Sequence, residues 1–257
     1  MSGSRPAKLA LVTGGCRRVG AAISAHLAEQ GYALALHGHS DAEPDEALAA
    51  VLKRQGMEWH GFLADLTEEE APATLMQQVA AHFGRSPDLL VNNASLFGDD
   101  RIDTLDAASL ERHWRIHLTA PTLLTQALYK HTGEDDRASV VNIVDQRVRN
   151  PHADQLSYTL SKQALAESIR TLAKACAPRL RINGVAPGMT LETEDYAEGQ
   201  MESIAAVMPL QRNSNPQDIA AAVAYFAASE AVTGQLLYVD GGAHMVPYDR
   251  DFLHLAK

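Results

Sequence analysis

Tyr158 and Lys162 stand four residues apart in SYTLSKQAL, a spacing that puts both side chains on one face of a helix. A tyrosine is a poor acid or base at neutral pH, because its unperturbed pKa is about 10. A lysine ammonium alongside favours the phenolate and makes proton transfer practicable. Asp145 precedes the tyrosine by thirteen residues, just past the apolar run SVVNIV. A carboxylate there can orient the tyrosine, relay a proton or stabilise developing positive charge. A Tyr-x-x-x-Lys pair alone arises often by chance. Joined to Asp145 and the run before it, the pair makes a candidate proton-transfer site.

A second candidate lies near the N-terminus, where TGGCRRVG (13–20) follows LALV and precedes an alanine-rich helical pattern. Gly14 and Gly20 permit a tight turn with close approach of backbone to a pyrophosphate, and the helix start offers unpaired N–H groups and a positive dipole end. That chemistry suits a dinucleotide. In LHGHS, at the end of the second apolar run, Gly38 falls where an NAD site usually carries an acid, followed by His39 and Ser40. Arg17 or Arg18 can meet a ribose 2′-phosphate, which reads as NADPH/NADP. Against this stand a plain reading, both arginines solvated at a helix start, and the nearby acids Asp41 and Glu43. The two histidines of LHGHS have no third ligand, so no metal is expected. Cys16, inside the turn, reads as a filler of an alanine-sized site in preference to a low-pKa thiol.

These groups need a scaffold, and the apolar runs supply one. KLALVT (8–13), YALALH (32–37), EWHGFLA (58–64), DLLVN (88–92), SVVNIV (139–144), LRINGVA (180–186) and QLLYVD (235–240) alternate with helical patterns. The first helix shows Val19, Ile23, His26 and Leu27 on one face. Near-continuous apolar strands separated by helices predict an α/β fold: one Rossmann-type doubly wound parallel sheet of about seven strands with helices on both faces. Ligands are then expected beyond the carboxyl ends of the strands. With no dividing linker, residues 1–257 read as one domain. The net charge of −10 argues against nucleic acid. Two distant cysteines suit a reducing compartment, and no apolar run approaches a membrane span or a secretion signal, so a cytoplasmic protein is expected.

The motifs TGxxxxxG, NNAS (92–95), YTLSK (158–162) and APG (186–188) resemble the short-chain dehydrogenase/reductases, and the resemblance runs nearly the whole chain through VDGG (239–242). Arg18 replaces the central glycine of the usual turn, Ser95 the glycine of NNAG, and Asp145 the usual serine. Together they resemble the pteridine reductase branch, which includes bacterial dihydromonapterin reductases. His117 in IHLTAP stands where most of the superfamily has asparagine and where the bacterial dihydromonapterin reductases carry histidine. The resemblance implies that Asp145, Tyr158 and Lys162 are catalytic. It implies cofactor contacts at Asp65 and Leu66, along Asn93, Ala94 and Ser95, and at Pro187, Gly188 and Thr190, with Lys162 on the nicotinamide ribose. Ser95, Asp145 and Tyr158 would face the substrate, and Phe97 would stack a flat pterin against the nicotinamide, unless it is simply core. The acidic segment at about 190–210 would be a substrate lid, and a homotetramer would form through helices around 105–130 and 155–177. His113 reads as a surface or interface residue.

The resemblance implies NADPH-dependent reduction of a dihydropterin or related pteridine, where hydride reaches a ring carbon and a proton must reach nitrogen. Two other readings stay open. A small ketone or aldehyde can be the substrate, although a carboxylate at 145 repels a carbonyl-derived oxyanion. The chain can also be a silent NADP-binding sensor, against which the retained Tyr158 and Lys162 speak.

Overall fold

The computed structural model describes residues 7–192 and 196–254. Its centre is a seven-stranded parallel sheet: β1 (Leu9–Thr13), β2 (Ala33–Gly38), β3 (Trp59–Leu63), β4 (Leu89–Asn92), β5 (Ala138–Ile143), β6 (Leu180–Pro187) and β7 (Leu236–Val239). The order is β3-β2-β1-β4-β5-β6-β7, so the winding reverses between β1 and β4. Register is fixed by pairs such as Leu11 with Ala35 and Leu90. Every residue of β1, β2, β4 and β5 is buried, as expected of strands covered on both faces, whereas the edge strands β3 and β7 are partly exposed. The expected fold class is what the chain adopts.

Alternate residues of each strand face opposite layers. Leu9, Leu11 and Val140 pack with α3 (Ala71–Phe83), α5 (Ala120–His131) and α6 (Leu156–Cys176). Ala10, Val12 and Leu36 pack with α1 (Arg18–Glu29), α2 (Glu46–Gln55) and α8 (Pro216–Ala228). The helix starts are set locally. Asp45 caps α2 through the Leu48 N–H, and Asn215 with Asp218 forms a capping box at α8. One such cap is worth about 1 kcal/mol.

Between α4 (Ala107–Trp114) and α5 the backbone widens into a π-helical turn, Arg115–Thr119. Such turns gather at functional sites. A smaller core joins Ile204 of α7 (Gln200–Val207) and Met208 to Ala243 and Phe252 near the C-terminus. Within the expected lid, residues 193–195 lie outside the described residues; α7 forms its centre. No helix among the described residues is long and apolar enough to cross a membrane.

Candidate active site

The carboxyl ends of β1, β4, β5 and β6 open into a cleft of about 430 Å³. It is lined by Gly14, Arg17, Arg18, Gly20, Asn93, Ala94, Ser95, Asp145, Tyr158, Lys162, Pro187 and Gly188 among others, so most of the residues singled out in the sequence meet there.

The first turn is shaped by its glycines. Gly14 sits at φ +59°, in the left-handed region, and a Cβ at Gly20 would lie 1.9 Å from the Gly14 carbonyl. Asn93 locks this turn to β4: its Nδ2 donates to the Thr13 and Gly14 carbonyls at 2.9 and 3.1 Å. The backbone N–H groups of Asn93 and Ala94 both donate to Thr13 Oγ1 at 2.9 Å. His37 holds the other side, accepting from the Gly14 N–H at 3.2 Å through Nδ1 while Nε2 donates to the Ala64 carbonyl at 3.0 Å. Burial pushes its pKa down, which keeps the ring neutral for these two roles. His37 therefore braces the turn, and among the described residues no cluster suited to a metal ion is found.

The two arginines part company. Arg17 is ion-paired with Asp41 at the end of β2. Arg18 is exposed, takes the left-handed φ of +54° that favours glycine, and forms no ion pair among the described residues. The N-cap position, Arg17, gives no side-chain hydrogen bond to the start of α1. An anion thus finds free N–H groups and a free guanidinium together. Cys16 is buried, and burial, aided by Asp41, raises its thiol pKa to about 11, so the helix start does not activate it.

Outside the residues that line this cleft, His39 lies 3.8 Å from Asp65, whose carboxylate is held below its ordinary pKa by the Thr67 hydroxyl and N–H. Ser40 opens onto a separate hollow with Asp41, Trp59 and His60. The Leu66 side chain is buried in the core, so only its backbone can serve a ligand. Thr190 Oγ1 donates to the Gly188 carbonyl at 2.8 Å and lies 2.9 Å from Ser214 Oγ.

The Tyr158 hydroxyl donates to Asp145 Oδ2 at 2.9 Å. Lys162 Nζ donates to the Ile143 carbonyl at 2.8 Å and sits 5.7 Å from the centre of the Tyr158 ring. Burial acts on this pair as well as charge. Burial, with Asp145 adding to it, raises the Tyr158 pKa well above its ordinary value, and burial lowers that of Lys162 to about 8. The protein alone holds a neutral phenol, a proton donor in readiness. Asp145 is no solvated surface acid, since Arg147 pairs with it at 3.3 Å. Phe97 is 58% exposed at the mouth, which rules out a core role, and its ring lies 4.9 Å from that of Tyr158.

His117 and Arg147 are the groups whose roles the sequence left unassigned. His117 Nε2 accepts from the Leu96 N–H at 3.3 Å and lies 2.8 Å from Ser95 Oγ. Its Nδ1 lies 2.8 Å from Ser161 Oγ, which itself donates to the Tyr158 carbonyl, so Nδ1 carries the proton. Burial, then the charge of Lys162, pushes its pKa far down. A neutral ring thereby ties the Phe97-bearing loop to α6. His113, expected as a surface or interface residue, is buried within the fold, its ring against Gly98 of the Phe97-bearing loop.

Residues 15–244 match the family model described as enoyl-(acyl carrier protein) reductase. The fold superposes on the crystal structure of FolM alternative dihydrofolate reductase 1 from Brucella canis complexed with NADP. That comparison has a TM-score of 0.87 and 39% identity, and covers 94% of this chain and 95% of the other. Pteridine reductase 1 of Leishmania tarentolae is 32% identical over 285 residues, covering 94% of this chain and 98% of that protein. A Streptomyces violaceoruber protein described as ketoacyl reductase 2 of granaticin polyketide synthase is 31% identical, covering 93% and 97%.

Proposed function

The chain belongs to the short-chain dehydrogenase/reductase family of oxidoreductases, and from that premise we propose that it is an NADPH-dependent reductase of pteridines. The observation that carries this reading is the 2.9 Å contact between the Tyr158 hydroxyl and the Asp145 carboxylate. A carbonyl substrate develops negative charge on oxygen, which a carboxylate at this place opposes. A ring C=N bond instead requires a proton at nitrogen, which the carboxylate can help deliver.

The cofactor fits the residues present: the free N–H groups of α1 and the close Gly14–Gly20 turn suit a pyrophosphate, and the unpaired Arg18 suits a 2′-phosphate. Bound NADPH would supply hydride. Lys162 would hold the nicotinamide ribose, with Asn93, Ala94 and Pro187 alongside. Buried Tyr158 stays a neutral phenol, and the Tyr158–Asp145 pair keeps one exchangeable proton between its oxygens to pass to the substrate nitrogen. Phe97, exposed at the mouth and edge-on to Tyr158, offers a flat ring its stacking face. A homotetramer through α4, α5 and α6 belongs to the same proposal, supported by the exposed Trp114 and Leu160 on two of those helices.

The test is steady-state NADPH oxidation with dihydrobiopterin, dihydromonapterin and dihydrofolate beside a panel of ketones. Turnover of a pteridine at least a hundredfold more efficient than of any ketone is expected. The reverse order assigns the chain to carbonyl reduction, the activity that the described ketoacyl reductase relative favours.

A further inference from the structure

Beneath the Tyr158–Asp145 pair lies a buried cluster of charges that the proton transfer described above does not use. Arg147 has a side chain only 5% exposed and places its guanidinium carbon 5.0 Å from the centre of the Tyr158 ring. It makes three polar contacts. Nε pairs with Asp145 Oδ1 at 3.3 Å, Nη2 with Asp251 Oδ2 at 2.5 Å, and Nη1 donates to the Gln155 side-chain oxygen. Gln155 is held at a left-handed φ of +54° at the foot of α6, which aims its side chain at Arg147. Asp251 comes from a tail 104 residues away in sequence, and its side chain is also only 5% exposed. Its own N–H donates to Asp154 Oδ2 at 3.3 Å.

A lone carboxylate does not otherwise go into such a place, because a buried charge without a partner costs several kcal/mol. We propose that Asp251 is a positioning residue for the proton-transfer pair: by holding Arg147 from behind, it fixes how much of the Arg147 charge reaches Asp145 and Tyr158. The proposal rests on the reading of Tyr158 and Asp145 as that pair. Arg147 is one cation shared between two carboxylates, and its place between them is set by both. Burial alone would weaken the guanidinium charge, but Asp145 and Asp251 together hold it firmly protonated. The tail that carries Asp251 also touches the lid region. Phe252 packs with Ile204 and Met208, and its carbonyl accepts from Gln200 Nε2 at 3.4 Å. One short segment thus touches both the lid helix and the Arg147 guanidinium beside the tyrosine.

The other charges around the pair fix the direction of the effect. Lys162 faces Asp145 from α6, and Asp154 and His152 approach Arg147 and Asp251 from the loop before it. Arg250 stands 3.9 Å from Asp154. His152 and His117 are held neutral, their pKa values lowered first by burial. Removing the negative charge of Asp251 leaves the Arg147 charge less neutralised, so the ionised form of Tyr158 gains. Buried charges are little screened, so this survives physiological salt.

The experiment compares Asp251→Asn, Asp251→Glu and the double variant Arg147→Met/Asp251→Asn, with dihydrobiopterin and NADPH across pH. Asp251→Asn is expected to cut kcat at least tenfold, keep the NADPH Kd within twofold, and move the high-pH limb of the kcat profile down by half a unit or more. Asp251→Glu restores the limb, and the double variant moves it above the wild type, because the cation is then gone. A folded Asp251→Asn whose limb stays in place overturns the proposal, whatever its rate. If that single variant does not fold, the double variant decides: an upward limb supports the proposal, and an unmoved or lowered one overturns it. Wild-type protein inert toward every pteridine would count against the proposed function alone. The ζ-carbon NMR resonance of Tyr158, assigned by its loss in Tyr158→Phe, then serves without substrate. A shift in Asp251→Asn that Asp251→Glu reverses supports the role of Asp251, and an unchanged resonance ends it.

Discussion

The Tyr158 hydroxyl donates to the Asp145 carboxylate over 2.9 Å, although the two come from different elements thirteen residues apart. Asp145 is presented by the end of β5 and Tyr158 by the first turn of α6, so sheet and helix packing set the contact. Removing the hydroxyl alone isolates its role. Tyr158→Phe should lower kcat at least a thousandfold while NADPH binding, followed by nicotinamide fluorescence, changes less than threefold. Near-normal turnover in that variant would move the proton donor elsewhere.

Arg18, free at the mouth of the turn, should discriminate between cofactors. Its loss in Arg18→Ala should weaken NADPH by about tenfold, near 1.4 kcal/mol, and leave NADH nearly untouched. Arg17→Ala, which only releases the exposed Asp41, should alter the NADPH-to-NADH ratio by less than threefold. Equal losses for both cofactors in Arg18→Ala would mean that the arginine serves the turn itself.

Gly20 faces a different constraint. A methyl there would overlap the Gly14 carbonyl at 1.9 Å and press on Asn93 Nδ2 at 2.7 Å. Gly20→Ala should therefore destabilise the fold by roughly 1–3 kcal/mol, a fall in Tm of several degrees, and weaken both cofactors together. A variant with unchanged Tm and cofactor affinity would show that the turn relaxes freely.

The sheet and most of the cleft were legible because their signals are local. Apolar runs, a Gly-bearing turn after β1, and the four-residue step from Tyr158 to Lys162 need no knowledge of distant contacts. Long-range packing hid the rest. Nothing near Arg147 announces a partner 104 residues on, and the segment carrying Asp251 has no periodicity to place it. Which arginine remains free depends on where Asp41 falls after β2. Nothing in the helix around His113 shows that Gly98, in another segment, leaves room for its ring. The lysine beside Tyr158 is visible in the sequence, but the burial that acts on the phenol more strongly is not.

His117, His37 and His152 share a consequence for stability. Burial lowers the pKa of each in the fold, so the unfolded chain binds their protons more readily. Stability is then fully present above the unfolded value near 6.5 and declines as pH falls below it. Thermal melts should show Tm dropping between pH 7 and pH 5. His117→Asn should lessen the underlying slope by about one proton, roughly 1.4 kcal/mol per pH unit. An identical slope in that variant would show that His117 is protonated without penalty in the fold.

The proposed function makes Asp145 the residue on which substrate choice should turn. Asp145→Ser keeps a small polar group at the end of β5 and removes the acceptor that holds the Tyr158 proton, together with the partner of Arg147. Pteridine turnover should fall at least a hundredfold, because the nitrogen no longer has a proton-relaying pair beside it. A reactive ketone should gain slow reduction, since serine can donate a hydrogen bond where a carboxylate repels negative charge. The pH profile gives an independent reading. In the wild type the rate should fall as pH rises past an apparent pKa that belongs to the coupled pair. In the serine variant Arg147 no longer has that carboxylate against it, so its charge and that of Lys162 favour the Tyr158 phenolate, and the falling limb should move to lower pH. Loss of pteridine turnover with gain of ketone turnover and a lowered limb would tie substrate choice to this one carboxylate. Full pteridine turnover with an unaltered profile would make Asp145 a bystander and leave the pteridine reading resting on likeness to its relatives.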